Sequence, residues 1–233
     1  MAPKYNRKKQ TQSKAGSKSN SMLIYSIVVV LAIAVIIAGV YFIGGFSSNN
    51  EPVTPTATPN PTPATENTKV LLKTSMGDIT IQLFDNKPVT TQNFLKLVAL
   101  GKYDNTVFHR ILKDFMIQGG VLNKKGELID AKWPSINDEI GSDNHNYQYT
   151  IAMAKTNDPN SATTSFFINA EDNSEIVYPS DDRFDDIYTA FGKVIEGQDV
   201  VDAISKVPVT KNSQGETSQP TQTVTLISAK IIS

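Results

Sequence analysis

The stretch FHRILKDFMIQGG, residues 108–120, combines the features of a buried strand with two residues that buried strands rarely carry. His109 and Arg110 stand between apolar side chains, and Gln118 precedes two glycines that suit a bulge or turn. From the residues alone, Arg110 has two interpretations. It is either a structural arginine held in a salt bridge or a cation placed beside an apolar pocket, and the second would indicate a functional site.

Short apolar segments of the same kind recur through residues 69–233, and they predict about seven or eight strands. Two helices are predicted among them. One begins at Pro88 and ends at Gly101, and the other is the short segment GQDVVDAIS, residues 197–205. Two helices are too few for repeated βαβ units. The pattern therefore favours a mainly β fold, an antiparallel barrel or sandwich covered by two helices.

The N-terminal part of the chain has a different composition. Residues 23–43 contain no charged residue, and at about 1.5 Å per residue they are long enough to cross the roughly 30 Å hydrocarbon core of a bilayer. A cleaved signal peptide is the main alternative. Residues 1–22 carry six basic and no acidic residues, which predicts a cytoplasmic tail in contact with membrane lipid. The sequence thus predicts a single-pass signal-anchor protein whose C-terminal domain is extracytoplasmic.

A Pro/Thr-rich linker, residues 44–68, is predicted to follow the transmembrane helix. Residues 47–68 contain five prolines and six threonines and too few apolar residues for a core, so we expect an extended spacer. The predicted domain, residues 69–233, contains all 16 remaining basic residues and 21 of the 23 acidic residues. This net negative charge argues against a nucleic-acid partner.

The usual catalytic groups are scarce. The chain has no cysteine and only two histidines, His109 and His145, and it contains no motif of a serine hydrolase, zinc protease or phosphate-binding loop. His109 is interpreted as a core histidine rather than a general base. A run of aspartates is interpreted as a solvated loop rather than a cation site: Asp181, Asp182, Asp185 and Asp186. We therefore predict no metal and no cofactor.

A family resemblance covers residues 70–232. The segments that carry it stand in the family's order: MGDITIQLF, PVTTQNFLKL, FHRILKDFMIQGG, PSINDE, TIAMAKTNDPNSATTSFFIN and FGKVIEGQDVVDAI. Together they resemble a bacterial-type cyclophilin, a peptidyl-prolyl cis–trans isomerase (rotamase). The resemblance implies a closed eight-stranded antiparallel barrel capped by two helices. It also implies activity on the X-Pro bonds of proline-containing polypeptides, here those of exported or surface proteins.

The resemblance also assigns roles to residues. It makes Arg110 the catalytic residue, facing a floor for the proline ring. The substrate-binding residues it implies are Phe115, Met116, Gln118, Ala154, Lys155, Thr156, Ser165, Phe167, Phe184 and Tyr188. Gln118 would hold the peptide backbone or orient Arg110, and the backbone of residues 154–156 would pair with the peptide ahead of proline.

Such an enzyme needs no nucleophile. Rotation about the X-Pro bond has a barrier near 20 kcal/mol, because amide resonance is lost in the twisted state. The prolyl nitrogen regains its lone pair there, and a guanidinium donor would stabilise this state more than either planar form. The expected catalysis is therefore non-covalent.

The sequence departs from the family pattern at three places. Ser165 stands where the family usually has glutamine, residues 172–191 form a longer and more acidic loop, and the family's aromatic wall has several candidates. These candidates are Ile176, Tyr178 and Phe184. The departures imply weak or no cyclosporin binding. They leave open a proline-peptide-binding or chaperone module with little isomerase turnover, and a surface adhesion protein on a stalk.

Overall fold

The structure is a computed structural model that describes residues 68–178 and 180–232. The predicted basic tail, the transmembrane helix and all of the linker before Thr68 lie outside these residues. Within the part that is described, no helix is both long and apolar enough to cross a membrane.

Strands dominate the described part of the chain, as the sequence predicts. The strands are β1 (Lys69–Thr74), β2 (Gly77–Leu83), β3 (Thr106–Val107), β4 (Arg110–Leu112), β5 (Met116–Gly119), β6 (Thr150–Met153), β7 (Phe166–Asn169), β8 (Ala190–Glu196), β9 (Val209–Lys211), β10 (Thr217–Pro220) and β11 (Thr225–Ile232). The helices are α1 (Pro88–Ala99) and α2 (Gln198–Ser205), with a 3₁₀ turn at Phe184–Asp186. Both predicted helices are confirmed.

Nine strands form one antiparallel sheet in the order β3-β11-β1-β2-β8-β6-β7-β5-β4, and β9 and β10 form a separate hairpin. The resemblance implied a closed eight-stranded barrel, whereas the observed sheet is a curled half-barrel whose hydrogen-bonded order ends at β3 and β4.

The two ends of the sheet are joined by the chain itself. Phe108 donates its backbone N–H to Val224 at 3.0 Å, and the next residue, His109, donates to Gln118 at 3.1 Å. Consecutive residues therefore bond to opposite edges of the sheet. The strand predicted for residues 106–112 is split at this point into β3 and β4, which accounts for nine strands in the sheet rather than eight. The β9–β10 hairpin adds two strands that were not predicted.

The start of α1 is stabilised by a distant carboxylate. Pro88 occupies the first turn, where its missing N–H has no consequence. The N–H groups of Val89 and Thr90 donate to the two carboxylate oxygens of Glu139, at 3.0 and 2.8 Å. Glu139 lies in the PSINDE segment, so this segment caps the helix that packs beside it.

The end of α1 follows the prediction made for Gly101. This glycine has a φ of 63° and donates to the carbonyl of Val98, while Lys102 donates to that of Leu97, both at 2.9 Å. This pair of bonds is a Schellman motif, which requires the left-handed conformation that glycine adopts without strain.

The main core lies between the inner face of the sheet and the helices. Phe94 of α1 packs against Phe166 and Phe191 with ring centroids 5.8 and 5.1 Å apart. The packing of this core explains Gly120, one of the two glycines that end residues 108–120. Its φ is 77°, and an added Cβ would lie 2.6 Å from the Phe166 ring, so this position accommodates only glycine.

Candidate active site

The register of four strands brings the site residues into one row. Arg110 on β4 pairs with Gln118 on β5, which pairs with Phe167 on β7, which in turn pairs with Ala152 on β6. Side chains alternate between the two faces of a strand, so the residues next to this row in sequence, such as Ile111, face the main core. The row itself lies on the outer face of the sheet.

This outer face is covered by a second apolar cluster rather than by solvent. The cluster is built around Met116, Ala152, Ala154, Phe167, Tyr178, Phe184, Tyr188 and Ala190. It surrounds a small hollow that opens to solvent. The residues that line the hollow are Arg110, Phe115, Met116, Gln118, Ala154, Phe167, Phe184 and Tyr188.

The aromatic wall of the hollow is formed by Phe184. Its ring centroid lies 5.6 Å from that of Phe115, 5.8 Å from Phe167 and 4.7 Å from Tyr188. Tyr178 is stacked behind Phe184 at 6.2 Å and does not line the hollow. Of the three wall candidates, the structure therefore places Phe184 at the hollow.

Arg110 lies beside the mainly apolar hollow and is held in a salt bridge at the same time. Its Nε and Nη2 donate to the two carboxylate oxygens of Glu216, each at 2.8 Å. Its Nη1 donates to the Gln118 side-chain oxygen at 3.1 Å. The Arg110 and Glu216 side chains are only 5% and 6% exposed. A bidentate bond between buried ions is strong and directional, and it fixes the plane of the guanidinium.

Ser165 supports this arrangement from behind Gln118. The Gln118 amide nitrogen donates to the Ser165 hydroxyl at 3.3 Å, and this hydroxyl donates to the carbonyl of Gly119 at 3.1 Å. Ser165 therefore orients the Gln118 amide so that its oxygen faces Arg110. It does not itself line the hollow.

Two other candidates lie beside the hollow rather than on it. Lys155 forms an ion pair with Asp138 at 2.6 Å, and the Thr156 hydroxyl and backbone N–H both donate to Ser161. Their side chains are engaged in holding the loop that follows β6. Ala154 of the same segment does line the hollow.

The acidic loop is not simply solvated, and that interpretation is wrong for Asp185. This side chain is 4% exposed and accepts a bond from the Asn146 N–H at 2.7 Å. His145 Nδ1 lies 3.0 Å from its other oxygen. The Asp185 carboxylate thereby anchors the turn that carries Phe184. Within residues 68–178 and 180–232, no group of three or more His, Asp or Glu residues could hold a metal ion.

Among the side chains that line the hollow, Arg110 carries the charge. Burial raises the pKa of the Tyr188 hydroxyl, so that it stays neutral and can act as a hydrogen-bond donor. Burial alone would also raise the pKa of Glu216, but the hydrogen bonds and charge of Arg110 outweigh it, and the pKa lies below its usual value. Glu216 is therefore a carboxylate at neutral pH.

Glu216 is the residue of the site that sequence analysis missed. It lies 106 positions after Arg110, in a polar hairpin, and no motif marks it. The only signal was general: a buried arginine requires an anionic partner.

The comparisons with known proteins agree with this geometry. The family profile described as "Cyclophilin type peptidyl-prolyl cis-trans isomerase/CLD" matches residues 69–231. The chain is 46% identical over 164 residues to the peptidyl-prolyl cis-trans isomerase cyp18 of Streptomyces antibioticus, covering 70% of this chain and 98% of that protein. It is 41% identical over 171 residues to a peptidyl-prolyl cis-trans isomerase of Acinetobacter baylyi, covering 72% and 87%.

A solved structure shows the same likeness. A cyclophilin type peptidyl-prolyl cis-trans isomerase of Cryptosporidium parvum, crystallised in the presence of the dipeptide ala-pro, superposes with a TM-score of 0.57. The two are 27% identical, and the match covers 71% of this chain and 99% of that one. The fold and the hollow thus define an enzyme that isomerises prolyl peptide bonds. The chain belongs to the cyclophilin type peptidyl-prolyl cis-trans isomerase family.

Proposed function

We propose that the protein isomerises X-Pro bonds by holding the proline ring in the hollow while Arg110 stabilises the twisted amide. The observation that carries this proposal is that a guanidinium lines a hollow formed mainly by apolar and aromatic side chains. Met116, Phe167 and Phe184 offer the ring a surface that needs no hydrogen bonds.

The chemistry of the step suits a fixed cation. As the amide twists, its nitrogen becomes pyramidal and regains a lone pair that neither planar isomer can offer. A hydrogen bond from Arg110 to that nitrogen exists only near the transition state, so it lowers the barrier without strengthening ground-state binding. The neighbouring side chains keep the guanidinium in a poorly solvated setting, where such a bond is strongest.

We further propose that the substrates are proline-containing segments of exported or surface proteins. The apolar span at residues 23–43 and the basic tail before it support a domain tethered outside the cytoplasmic membrane. The ala-pro dipeptide named for the Cryptosporidium parvum structure supports proline peptides as ligands. Fractionation of membranes and N-terminal sequencing of the mature chain test the tether, and a start near residue 46 would contradict it.

The mechanism is tested by a protease-coupled cis–trans assay on Arg110→Ala. Loss of one preorganised donor to the transition state lowers rates by about 100- to 1,000-fold in other enzymes, and we expect kcat/KM to fall by a comparable factor. Lys102→Ala is the control, because this cation is ion-paired with Asp130 and neither residue lines the hollow. Equal rates for Arg110→Ala and the unmodified protein would contradict the mechanism.

One observation favours a second candidate, a proline-peptide-binding or chaperone module with little turnover. Three of the five N–H donors of Arg110 are already engaged by Glu216 and Gln118. If these contacts held the guanidinium away from substrate, proline peptides would bind without faster isomerisation. Binding of a proline peptide without any rate effect in the same assay would support this candidate.

A further inference from the structure

We propose that Glu216 is a positioning residue for Arg110, and that the β9–β10 hairpin holds the guanidinium in an orientation that faces the hollow. This inference rests on the proposed role of Arg110. It assigns to the hairpin a part in the isomerisation, although none of its residues lines the hollow.

The geometry requires a partner on this side of Arg110. The β4 strand places the arginine on the outer face of the sheet, between the hollow and a larger groove on its other side, which Arg110 also lines. A buried guanidinium without a partner would turn toward whichever side admits water. Glu216 accepts from Nε and from Nη2, which fixes the rotation of the guanidinium plane.

Counting donors shows what this arrangement leaves for the substrate. A guanidinium has five N–H groups. Glu216 takes one from Nε and one from Nη2, and Gln118 takes one from Nη1. One N–H therefore remains on each of the two terminal nitrogens. These two are the donors that the twisted prolyl nitrogen can accept from without breaking an existing bond.

The Glu216 carboxylate is itself held in place by hydrogen bonds within the hairpin. Its backbone N–H donates to the Asn212 side chain at 3.0 Å, and its carbonyl accepts from the Asn212 N–H at 2.8 Å. The Asn212 amide also lies 3.4 Å from Oε2 of the carboxylate and donates to the buried Ser218 hydroxyl at 3.2 Å. The turn is completed by Gly215, whose φ is 84°. Asn212 thus fixes the hairpin tip relative to β10, which packs beside β4.

The test compares kcat and KM of the full chain with those of Glu216→Gln. Glutamine can accept from one donor but presents its amide group to the other, so the guanidinium loses its fixed plane. We expect kcat to fall by about 10- to 100-fold, the range expected when a catalytic group is displaced by about 1 Å. KM should change little, because the apolar hollow is intact. Asp130→Asn is the matched control, since it neutralises an ion-paired carboxylate remote from the hollow.

A second variant covers the case in which Glu216→Gln does not fold. Glu216→Asp keeps the compensating charge but shortens the side chain by one carbon–carbon bond, roughly 1.5 Å. We expect this variant to fold and still to lose kcat, because the guanidinium follows the carboxylate away from the hollow. A kcat equal to that of the unmodified protein, in either variant, would overturn the inference.

A double-mutant cycle separates this inference from the proposed function. If Glu216 acts through Arg110, Glu216→Gln should have no further effect on kcat in an Arg110→Ala background. Full activity of Arg110→Ala would reject the proposed mechanism itself. Loss of activity in Arg110→Ala together with normal kcat in Glu216→Gln would reject only the positioning role. Equal additional losses in both backgrounds would show that Glu216 acts independently of Arg110, and that also contradicts the proposal.

Discussion

Residue by residue, the stretch 108–120 is explained by the side of the sheet that each side chain faces. Ile111 and Ile117 face the main core, while Arg110 and Gln118 face the hollow. The alternation of strands therefore places a cation one residue away from a fully buried isoleucine without burying its charge in the core. The family resemblance predicts a catalytic role for Arg110, and the structure places its side chain at the hollow. The sequence could not predict the carboxylate that holds it.

His109 gives a prediction at this scale. It is half-buried, its Nδ1 is shielded from solvent, and it has no hydrogen-bond partner at that atom. Burial, followed by the charge of Arg110, lowers the pKa of His109 to about 4. Below pH 6.5 the unfolded chain therefore binds a proton that the folded chain rejects. The stability that the neutral imidazole contributes above pH 6.5 is lost as the pH falls toward 4, up to about 3 kcal/mol.

Urea unfolding of the unmodified protein and of His109→Asn at pH 7 and pH 4.5 measures this effect. The asparagine variant lacks the titrating group, so its free energy of unfolding should fall less over this interval. The difference between the two changes isolates His109 from the carboxylates that titrate in both proteins. Parallel losses of stability in the two proteins would contradict the assigned pKa.

At the scale of helices and loops, features that depend on residues nearby in sequence were predicted. Features that depend on contacts with distant residues were not. Helix α1 was predicted with its proline start and glycine end, because both signals lie within its own sequence. Its Glu139 cap was not predicted, since the carboxylate arrives from 49 and 50 positions away. The same limit applies to Glu216 and to the anchoring of the acidic loop by Asp185, because both depend on long-range contacts that no periodicity records.

Glu139→Ala tests the cap of α1. The substitution removes two charge-assisted bonds from the first turn, and we expect it to lower the free energy of unfolding by about 1–2 kcal/mol. For a domain of this size that corresponds to a fall in Tm of roughly 2–8 °C. Thermal melts against Glu171→Gln, a substitution of an exposed carboxylate, measure the difference. A Tm equal to that of this control would show that the cap contributes nothing.

At the scale of the molecule, the sheet order shows how the predicted start of the domain, Lys69, is built into the fold. Lys69 pairs with Ile232 on one side and with Gln82 on the other, so the first and last strands of the described chain lie side by side within the sheet. Lys69 therefore belongs to a strand that is paired on both sides. The predicted closed barrel was not observed, because the chain itself, at Phe108 and His109, bridges the edges that a ladder would have closed.

This arrangement predicts opposite outcomes for two truncations. Deletion of residues 1–67 keeps every strand that the structure describes, every residue of the hollow and Glu216, so kcat/KM and cooperative urea unfolding should match those of the full chain. Deletion from Thr225 onward removes β11 and leaves β1 and β3 without a partner on that side. Exposure of those edges and of the core beneath them should abolish cooperative unfolding and activity together. A large loss of kcat/KM in the first truncation would mean that the N-terminal residues contribute to the site, and the boundary at Lys69 would then be wrong.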